Sequence, residues 1–309
     1  MNDSIILPNQ IADAYQRIAP HIRQTPVMDL VLPSGRVTCK LEFLQRGGTF
    51  KARGAFNKLL GDEAPAAGIV AASGGNHGIA IATAAQALHV KANIFVPTTA
   101  PDAKVATLKR LGATVHQHGD RFALAYEAST QFALQTGAMV SHAYDQVETL
   151  CGQGTVALEW ESQSTDLDTV LIAVGGGGLI GGIAAWYAGR VKVVAVESVT
   201  CATLHSALKA GHPVDCQVAG IAADSLGATR IGALMFPIAQ RYIAQSLLVT
   251  DDHIRGAQAW LWREARIASE AGGATALAAL LAGIYQPQAD ERVGVLLCGA
   301  NVDLTRIPN

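Results

Sequence analysis

A lysine follows a pair of glycines in the stretch GGTFKARGAFNK, which spans residues 47–58. Lysine becomes a nucleophile when an apolar pocket or a nearby positive charge lowers its pKa. Phe50 and the small residues around Lys51 could form such a pocket, and Arg53 could supply the charge. The alternative is a lysine at a helix start whose aliphatic part packs while its ammonium stays in water. This segment alone leaves both interpretations open.

Two glycine-rich turns follow apolar segments and precede helical ones. Gly175–Gly178 is a run of four glycines, and exposed N–H groups at a helix start bind phosphate. The run lacks a clear G-x-G-x-x-G dinucleotide pattern, although Glu197 lies near the position of that motif's acidic residue. Tight packing of a helix on a sheet, without a ligand, is the other interpretation.

The second turn is SGGNHG, at residues 73–78. It adds a hydroxyl, an amide and an imidazole to a series of backbone donors, a set that suits a carboxylate or a ring hydroxyl. An ordinary helix start with Asn76 as its N-cap explains the same residues. The turn by itself does not decide between them.

The elements that must position these residues alternate between strand and helix. Short apolar segments, namely GIVAAS, KANIFVP, VLIAV, KVVAVES and RVGVLL, are typical of buried parallel strands. Helical segments lie between them, among them 76–88 and 251–269. This alternation predicts an α/β fold with open, mostly parallel sheets and helices on both faces. Ligands in such sheets bind at the carboxyl ends of strands, so we expect the site at the turns that follow GIVAA, VLIAV, KVVAVE and RVGVLL.

Composition excludes several classes of protein. The chain has 309 residues, of which 50% are hydrophobic and 16% charged, and its net charge is −2. This charge balance does not favour binding to a nucleic acid or to an anionic membrane. Residues 169–189 carry no charge, but the glycines in their middle favour strand, loop and helix over a membrane span. Five cysteines without a CxxC pair, and the lack of a signal peptide, predict a cytoplasmic protein without disulfides.

The motifs TFKARGAFN, ASGGNHGIA, GQGTVALE, VGGGGLIGG, AVES and CGANVD occur in the order and spacing of one family. The sequence resembles the serine/threonine dehydratases, pyridoxal-phosphate enzymes of fold type II that are related to the serine racemases. The resemblance covers nearly the whole chain and implies two open, mostly parallel sheets, like those of the tryptophan synthase β subunit. It also implies a small domain at 53–145, a large domain that combines 1–52 with 146–309, and a homodimer.

The resemblance assigns roles to the motif residues. Lys51 would bond to the cofactor and act as general base, and Phe50 would pack against the cofactor ring. Gly175, Gly176, Gly177 and Gly178 would hold the phosphate. Cys298, where much of the family has serine, would face the pyridine nitrogen and leave it largely unprotonated, which favours elimination. Asn76 would bond to the ring hydroxyl, and the substrate carboxylate would be received by Ser73, Gly75, Asn76 and His77.

These roles imply β-elimination from L-threonine, L-serine or both, with release of a 2-oxo acid and ammonia, which is the reaction of a threonine/serine ammonia-lyase. Serine racemases carry a second acid/base serine at the position of Gly74, so glycine there speaks against a serine or aspartate racemase. A ligand-binding protein without catalysis is a third interpretation, and the intact Lys51 speaks against it. The sequence does not decide which β-substituent the substrate carries, and 3-hydroxyaspartate and phenylserine are alternative substrates. A second carboxylate, as in 3-hydroxyaspartate, would need a cation, and Arg53, Arg121 and Arg230 are candidates for it.

A cation site is also implied. Glu197 resembles the family's cation ligand, but Thr203 stands where racemases have a downstream aspartate. Oxygen ligands with one carboxylate suit a monovalent ion such as K⁺ better than Mg²⁺ or Ca²⁺. The resemblance therefore predicts a K⁺ site that includes Glu197, Cys201 and Thr203, and polar contacts without an ion are the alternative.

Overall fold

Strands alternate with helices through residues 6–306, the part of the chain that this computed structural model describes. The strands are β1 (Val27–Leu32), β2 (Gly35–Leu41), β3 (Ile69–Ala72), β4 (Ala92–Val96), β5 (Thr114–Gln117), β6 (Met139–Val140), β7 (Thr169–Ala173), β8 (Lys192–Ser198), β9 (Ile243–Val249) and β10 (Val293–Leu297). The helices are α1 (Pro8–Ile18), α2 (Lys51–Gly61), α3 (Asn76–Ala87), α4 (Asp102–Arg110), α5 (Phe122–Thr136), α6 (Val147–Gln163), α7 (Gly178–Tyr187), α8 (Thr203–Ala210), α9 (Ala223–Leu226), α10 (Phe236–Tyr242), α11 (Asp251–Ala265) and α12 (Ala271–Leu281).

The strands form two sheets, which confirms the predicted fold class. One sheet has six strands in the order β1-β2-β10-β7-β8-β9, and the other has four in the order β5-β4-β3-β6. Strands β1 and β2 form an antiparallel hairpin, and the other neighbours run parallel. Parallel neighbours need crossover connections, and helices supply most of them here. The carboxyl ends of β10 and β7 therefore lie side by side in the larger sheet.

Strand β7 shows why the sequence forms buried strands. All five of its residues are buried, because helices cover both faces of the sheet. The uncharged segment 169–189 divides into β7, a glycine turn and α7, as predicted. Within residues 6–306 no helix combines the length and the apolar character that crossing a bilayer requires.

Helix α11 is shorter than the sequence predicts. The pattern indicates a helix over 251–269, but the helix ends at Ala265. Arg266 adopts a left-handed conformation with a φ of 55°, and its N–H donates to the Trp262 carbonyl oxygen at 3.1 Å. A left-handed residue at this position ends the helix and turns the chain towards α12.

The apolar core is divided between the two sheets. The largest cluster of buried residues packs on the six-stranded sheet, and two smaller clusters pack on the four-stranded one. The four-stranded sheet lies within residues 53–145, and the six-stranded sheet lies within 1–52 and 146–309. The domain boundaries themselves stay a prediction.

Candidate active site

Lys51 is the first residue of helix α2. Its Nζ donates a hydrogen bond to the Ala143 carbonyl oxygen at 2.8 Å and lies 5.3 Å from the centroid of the Phe50 ring. Burial lowers the pKa of Lys51 to about 8, while the carboxyl group of Glu270 favours the charged amine. An amine with this pKa is partly neutral near pH 8, so it can act as a nucleophile or as a base.

Arg53 does not supply the positive charge that the sequence suggested. Residues two apart on a helix do not face each other, so Arg53 points away from Lys51. Its guanidinium is fully buried, and Nη2 lies 2.7 Å from Oε1 of Glu42 and 2.9 Å from Oε1 of Glu159. Lys40 joins the same network, with its Nζ 2.6 Å from Glu159. The prediction that Arg53 lowers the pKa of Lys51 is therefore wrong, and these ion pairs also exclude Arg53 as a partner for a substrate carboxylate.

The glycine run forms the turn between β7 and α7. A Cβ on Gly176 would lie 2.2 Å from Cδ1 of Tyr144, and a Cβ on Gly178 would lie 2.8 Å from the Tyr144 carbonyl oxygen. Gly177 has a φ of 89°, which favours glycine. Within residues 6–306 the N–H groups of Gly175–Gly178 have no protein acceptor, and they lie at the N-terminus of α7. Such a turn is a cradle for an anion like phosphate.

The carboxyl end of β10 brings Cys298 beside Lys51. The Cys298 thiol is buried and donates to the Gly272 carbonyl oxygen at 3.5 Å. Burial raises the pKa of Cys298, so its thiol is neutral at physiological pH. The Phe50 N–H donates to the Cys298 carbonyl oxygen at 3.3 Å, which ties the start of α2 to the end of this strand.

The SGGNHG turn places Asn76 in the same region. Helix α3 begins at Asn76 itself, with Gly75 before it, so the Asn76 side chain does not cap the helix. Its Nδ2 instead donates to Oε1 of Glu270 at 2.7 Å, and its Oδ1 accepts a hydrogen bond from Nδ2 of Asn301 at 2.8 Å. These two bonds fix the direction of the Asn76 amide.

The remaining residues of this turn lie close to Asn76. The Ser73 hydroxyl accepts the N–H of Gly75 at 3.3 Å. Burial, followed by the charge of Lys51, lowers the pKa of His77 to about 3, so the imidazole is neutral. Recognition of a substrate carboxylate by Ser73, Gly75, Asn76 and His77 stays a prediction.

Three of the four predicted turns line one cavity. Its walls include Phe50, Lys51, Asn76, Gly175–Gly178 and Cys298. Residues that the sequence did not single out for the cofactor complete the lining: Tyr144, Ala173, Leu179, Ile180, Ser225, Leu226 and Glu270. The turn after β8 does not line the cavity. The helix that follows this turn contacts the glycine run instead, because Thr203 Oγ1 donates a hydrogen bond to the Gly175 carbonyl oxygen at 2.6 Å.

Glu270 is the main candidate that the sequence reasoning missed. Its carboxyl group is buried, accepts a hydrogen bond from Asn76 and interacts electrostatically with Lys51 and Cys298. Burial raises the pKa of Glu270 to about 7, and the bond from Asn76 opposes that shift. A carboxyl group with a perturbed pKa in a cavity is typical of a functional site. The available signal was an acidic residue directly before the small, buried residues of α12.

The residues predicted to bind a cation already have partners. The buried Glu197 carboxylate accepts the N–H groups of Leu204 and His205, both at 2.8 Å, at the start of α8. Burial raises the pKa of Glu197 to about 7 against these hydrogen bonds. The Cys201 thiol donates to a carbonyl oxygen at 3.2 Å. Across residues 6–306 no group of three or more His, Cys, Asp or Glu side chains is placed to hold a metal ion. The K⁺ site stays a prediction.

Comparison with known proteins identifies the family to which this chain belongs. Residues 18–299 match the family model described as pyridoxal-phosphate dependent enzyme. The chain therefore belongs to this family, among the fold type II dehydratases and ammonia-lyases.

Individual relatives cover most of the chain. It is 35% identical to the phenylserine dehydratase of Ralstonia pickettii, over 97% of this chain and 95% of that protein. It is 33% identical to the L-threonine ammonia-lyase of Thermotoga maritima, over 88% of this chain and 69% of that protein. The structure of maize serine racemase superposes with a TM-score of 0.92 at 30% identity and covers 97% of this chain and 95% of its own.

Proposed function

We propose that this chain removes water from 3-hydroxy amino acids, with L-threonine and L-serine among its substrates, and releases a 2-oxo acid and ammonia. The observation that carries the proposal is the meeting of Lys51, the glycine cradle and Cys298 around one cavity. Relatives named L-threonine ammonia-lyase and phenylserine dehydratase support the same class of reaction.

The residues of the cavity fit pyridoxal phosphate. The N–H groups of Gly175–Gly178 would hold its phosphate, and Phe50 would pack against its ring. Asn76 would bond to the ring hydroxyl, Cys298 would face the ring nitrogen, and Lys51 would form the covalent bond. When bound, the cofactor supplies an electron sink for the negative charge that develops at the substrate Cα.

Lys51 carries the proton transfer. With a pKa of about 8, its free amine can take the proton from the substrate Cα as general base. The hydrogen bond to the Ala143 carbonyl oxygen orients this amine towards the cavity wall. The Cys298 thiol, kept neutral by burial, would leave the ring nitrogen of the cofactor unprotonated, which would favour elimination of the β-hydroxyl.

A racemase is the second candidate, because maize serine racemase shares the fold. Racemisation needs a group that returns a proton to the opposite face of Cα, and Gly74 has no hydroxyl to do so. The position is not crowded: a Cβ on Gly74 would lie 3.4 Å from Cγ1 of Val96, an ordinary contact. Position 74 therefore has room for a serine side chain, and what it lacks is the hydroxyl group.

Three further features belong to the proposal. They are a homodimer, a small domain at 53–145 that closes over the cavity, and a K⁺ ion near Glu197. The family resemblance supports all three. Turnover measured in K⁺ and in Na⁺ buffers, beside the molecular mass in solution, tests the ion and the dimer.

The substitution Lys51→Ala tests the proposed reaction. We expect it to abolish formation of 2-oxobutyrate from L-threonine while the circular dichroism spectrum stays unchanged. Lys58→Ala removes a lysine from the same helix, where it pairs with Glu148 at 2.9 Å, and should retain turnover. Full turnover in the Lys51→Ala protein would refute the mechanism.

A further inference from the structure

The segment between β6 and α6, residues 141–146, connects the two sheets and contacts two parts of the candidate site. We call this segment the strap. Its Ala143 carbonyl oxygen accepts the hydrogen bond from Lys51 Nζ at 2.8 Å. The ring of the next residue, Tyr144, lies against the glycine run, where a Cβ on Gly176 would come within 2.2 Å of it. The path of the strap therefore determines the position of the Lys51 amine and of one wall of the glycine cradle.

The strap is anchored at its C-terminal end. The Asp145 carboxylate accepts the N–H groups of Ala233 at 3.0 Å and Leu234 at 2.9 Å, which ties the strap to the segment before α10. Oε1 of Gln146 reaches back and accepts the N–H of His142 at 2.8 Å. These bonds hold the ends of the strap, and the two residues in its middle that contact the site depend on the side chain of His142.

The His142 imidazole fixes the middle of the strap. Its Nδ1 accepts the N–H of Asp145 at 3.0 Å and the N–H of Tyr144 at 3.4 Å. The rings of His142 and Tyr144 also meet edge to face, with centroids 4.7 Å apart. A ring nitrogen that accepts hydrogen bonds carries no proton, so the neutral imidazole holds its proton on Nε2. A proton on Nδ1 would point at two N–H groups and would break both bonds.

The surroundings of His142 keep its imidazole neutral. Burial lowers the pKa of His142 below its usual value, the carboxylate of Asp145 opposes that shift, and the charge of Lys51 adds to it. His77, the other histidine whose pKa Lys51 lowers, is neutral as well. A neutral ring at physiological pH is the form that the two accepted hydrogen bonds require.

We propose that His142 is a positioning residue for the candidate site. Through the strap it holds the Ala143 carbonyl oxygen against the Lys51 amine and the Tyr144 ring against the glycine cradle, and it does so as the Nε2-protonated tautomer. His142 is not among the described residues that line the cavity, so it acts through its neighbours. This inference rests on the proposed function, because the amine that His142 positions is the base of the proposed elimination.

Two substitutions at position 142 separate the acceptor from the ring. His142→Leu removes the acceptor, so kcat should fall about tenfold, as expected for one or two lost hydrogen bonds, with KM changed less than about twofold. Pyridoxal phosphate should also bind about tenfold more weakly, measured by near-visible absorbance. In His142→Asn the amide oxygen can accept the N–H two residues on, as asparagine does in turns, so both values should stay within about threefold of wild type.

His116→Asn is the matched control. His116 is a half-buried histidine on β5, outside the cavity lining, and its Nε2 lies 3.0 Å from Oδ1 of Asn93. Burial lowers its pKa as well. We expect this variant to match wild type in turnover and in cofactor affinity. Wild-type values in His142→Leu, or equal losses in His142→Leu and His142→Asn, would overturn the assigned role, because the acceptor would then not matter.

The tautomer of His142 tests the inference without turnover. In cofactor-free protein with nitrogen-15 in its histidine rings, long-range proton–nitrogen correlation spectra at neutral pH should show an unprotonated Nδ1 and a protonated Nε2 for His142. The His142 signals are assigned by their loss in His142→Asn. A proton on Nδ1 would overturn the inference, even if His142→Leu failed to fold. The expected tautomer and cofactor affinities, without 2-oxo acid from any substrate, would refute the proposed elimination and still support the positioning of the strap.

Discussion

The substitution Gly176→Ala tests whether the glycine turn holds the cofactor phosphate. The added Cβ would lie 2.2, 2.3 and 2.5 Å from Cδ1, Cγ and Cε1 of Tyr144, where ordinary contacts begin at 3.4 Å. The Tyr144 ring packs against His142, so relieving the clash means moving either this ring pair or the turn. Forcing one methyl group into a packed site costs about 1–3 kcal/mol. If this free-energy cost applies only to the cofactor-bound protein, pyridoxal phosphate binds roughly 5- to 150-fold more weakly.

The assay is a titration of cofactor-free protein with pyridoxal phosphate, followed by near-visible absorbance. Gly256→Ala is the matched control, because a Cβ on Gly256 meets no atom within 4 Å and the residue lies in α11, outside the cavity lining. We expect the control to bind like wild type. Unchanged affinity in Gly176→Ala would show that this turn does not hold the phosphate.

Two further substitutions test single groups around the cavity. Gly74→Ser introduces a hydroxyl at a position where a Cβ has room. We expect this variant to form some D-serine from L-serine, measured by chiral chromatography. Complete absence of D-serine would mean that position 74 does not decide between elimination and racemisation. Glu270→Gln tests the carboxyl group whose pKa is raised from 4.5 to about 7. Because the pKa is raised, the native state binds this proton more tightly than the unfolded chain does. The protonated Glu270 therefore contributes its full share of the free energy of unfolding below pH 4.5. That contribution is lost as the pH rises through 7, and the loss is up to about 3 kcal/mol. Urea unfolding of cofactor-free protein at pH 5 and pH 8 should therefore show a smaller loss in Glu270→Gln than in wild type, and equal losses would contradict the assigned pKa.

The central strands were predictable from the sequence, and some edge strands were not. Strands β3, β4, β7, β8 and β10 are buried on both faces and appear as short apolar runs before a turn. Strands β1, β6 and β9 lie at sheet edges or contain polar, exposed positions, so their residues lack that signal. The glycine turns were found because their composition is local and unusual.

The contacts of the site depend on chain segments far apart, and there the sequence was a poorer guide. Glu270 meets Asn76 through the convergence of α12 and α3, a contact across nearly two hundred residues that no local pattern encodes. Arg53 lies two residues after Lys51 in sequence but points to the other side of α2, so proximity along the chain did not predict a contact. Tyr144 lies in an irregular segment, and its place against Gly176 follows from tertiary packing.

The most direct test of the central claim is the near-visible absorption spectrum of cofactor-loaded protein, recorded while substrate is added and 2-oxo acid is assayed in the same cuvette. L-threonine and phenylserine are the substrates to add. We expect a band that depends on Lys51, that shifts when either amino acid is added, and that is accompanied by accumulating 2-oxo acid. A band that forms equally well in the Lys51→Ala protein, or a shift with no 2-oxo acid from either substrate, would contradict the assignment of Lys51 and of the reaction.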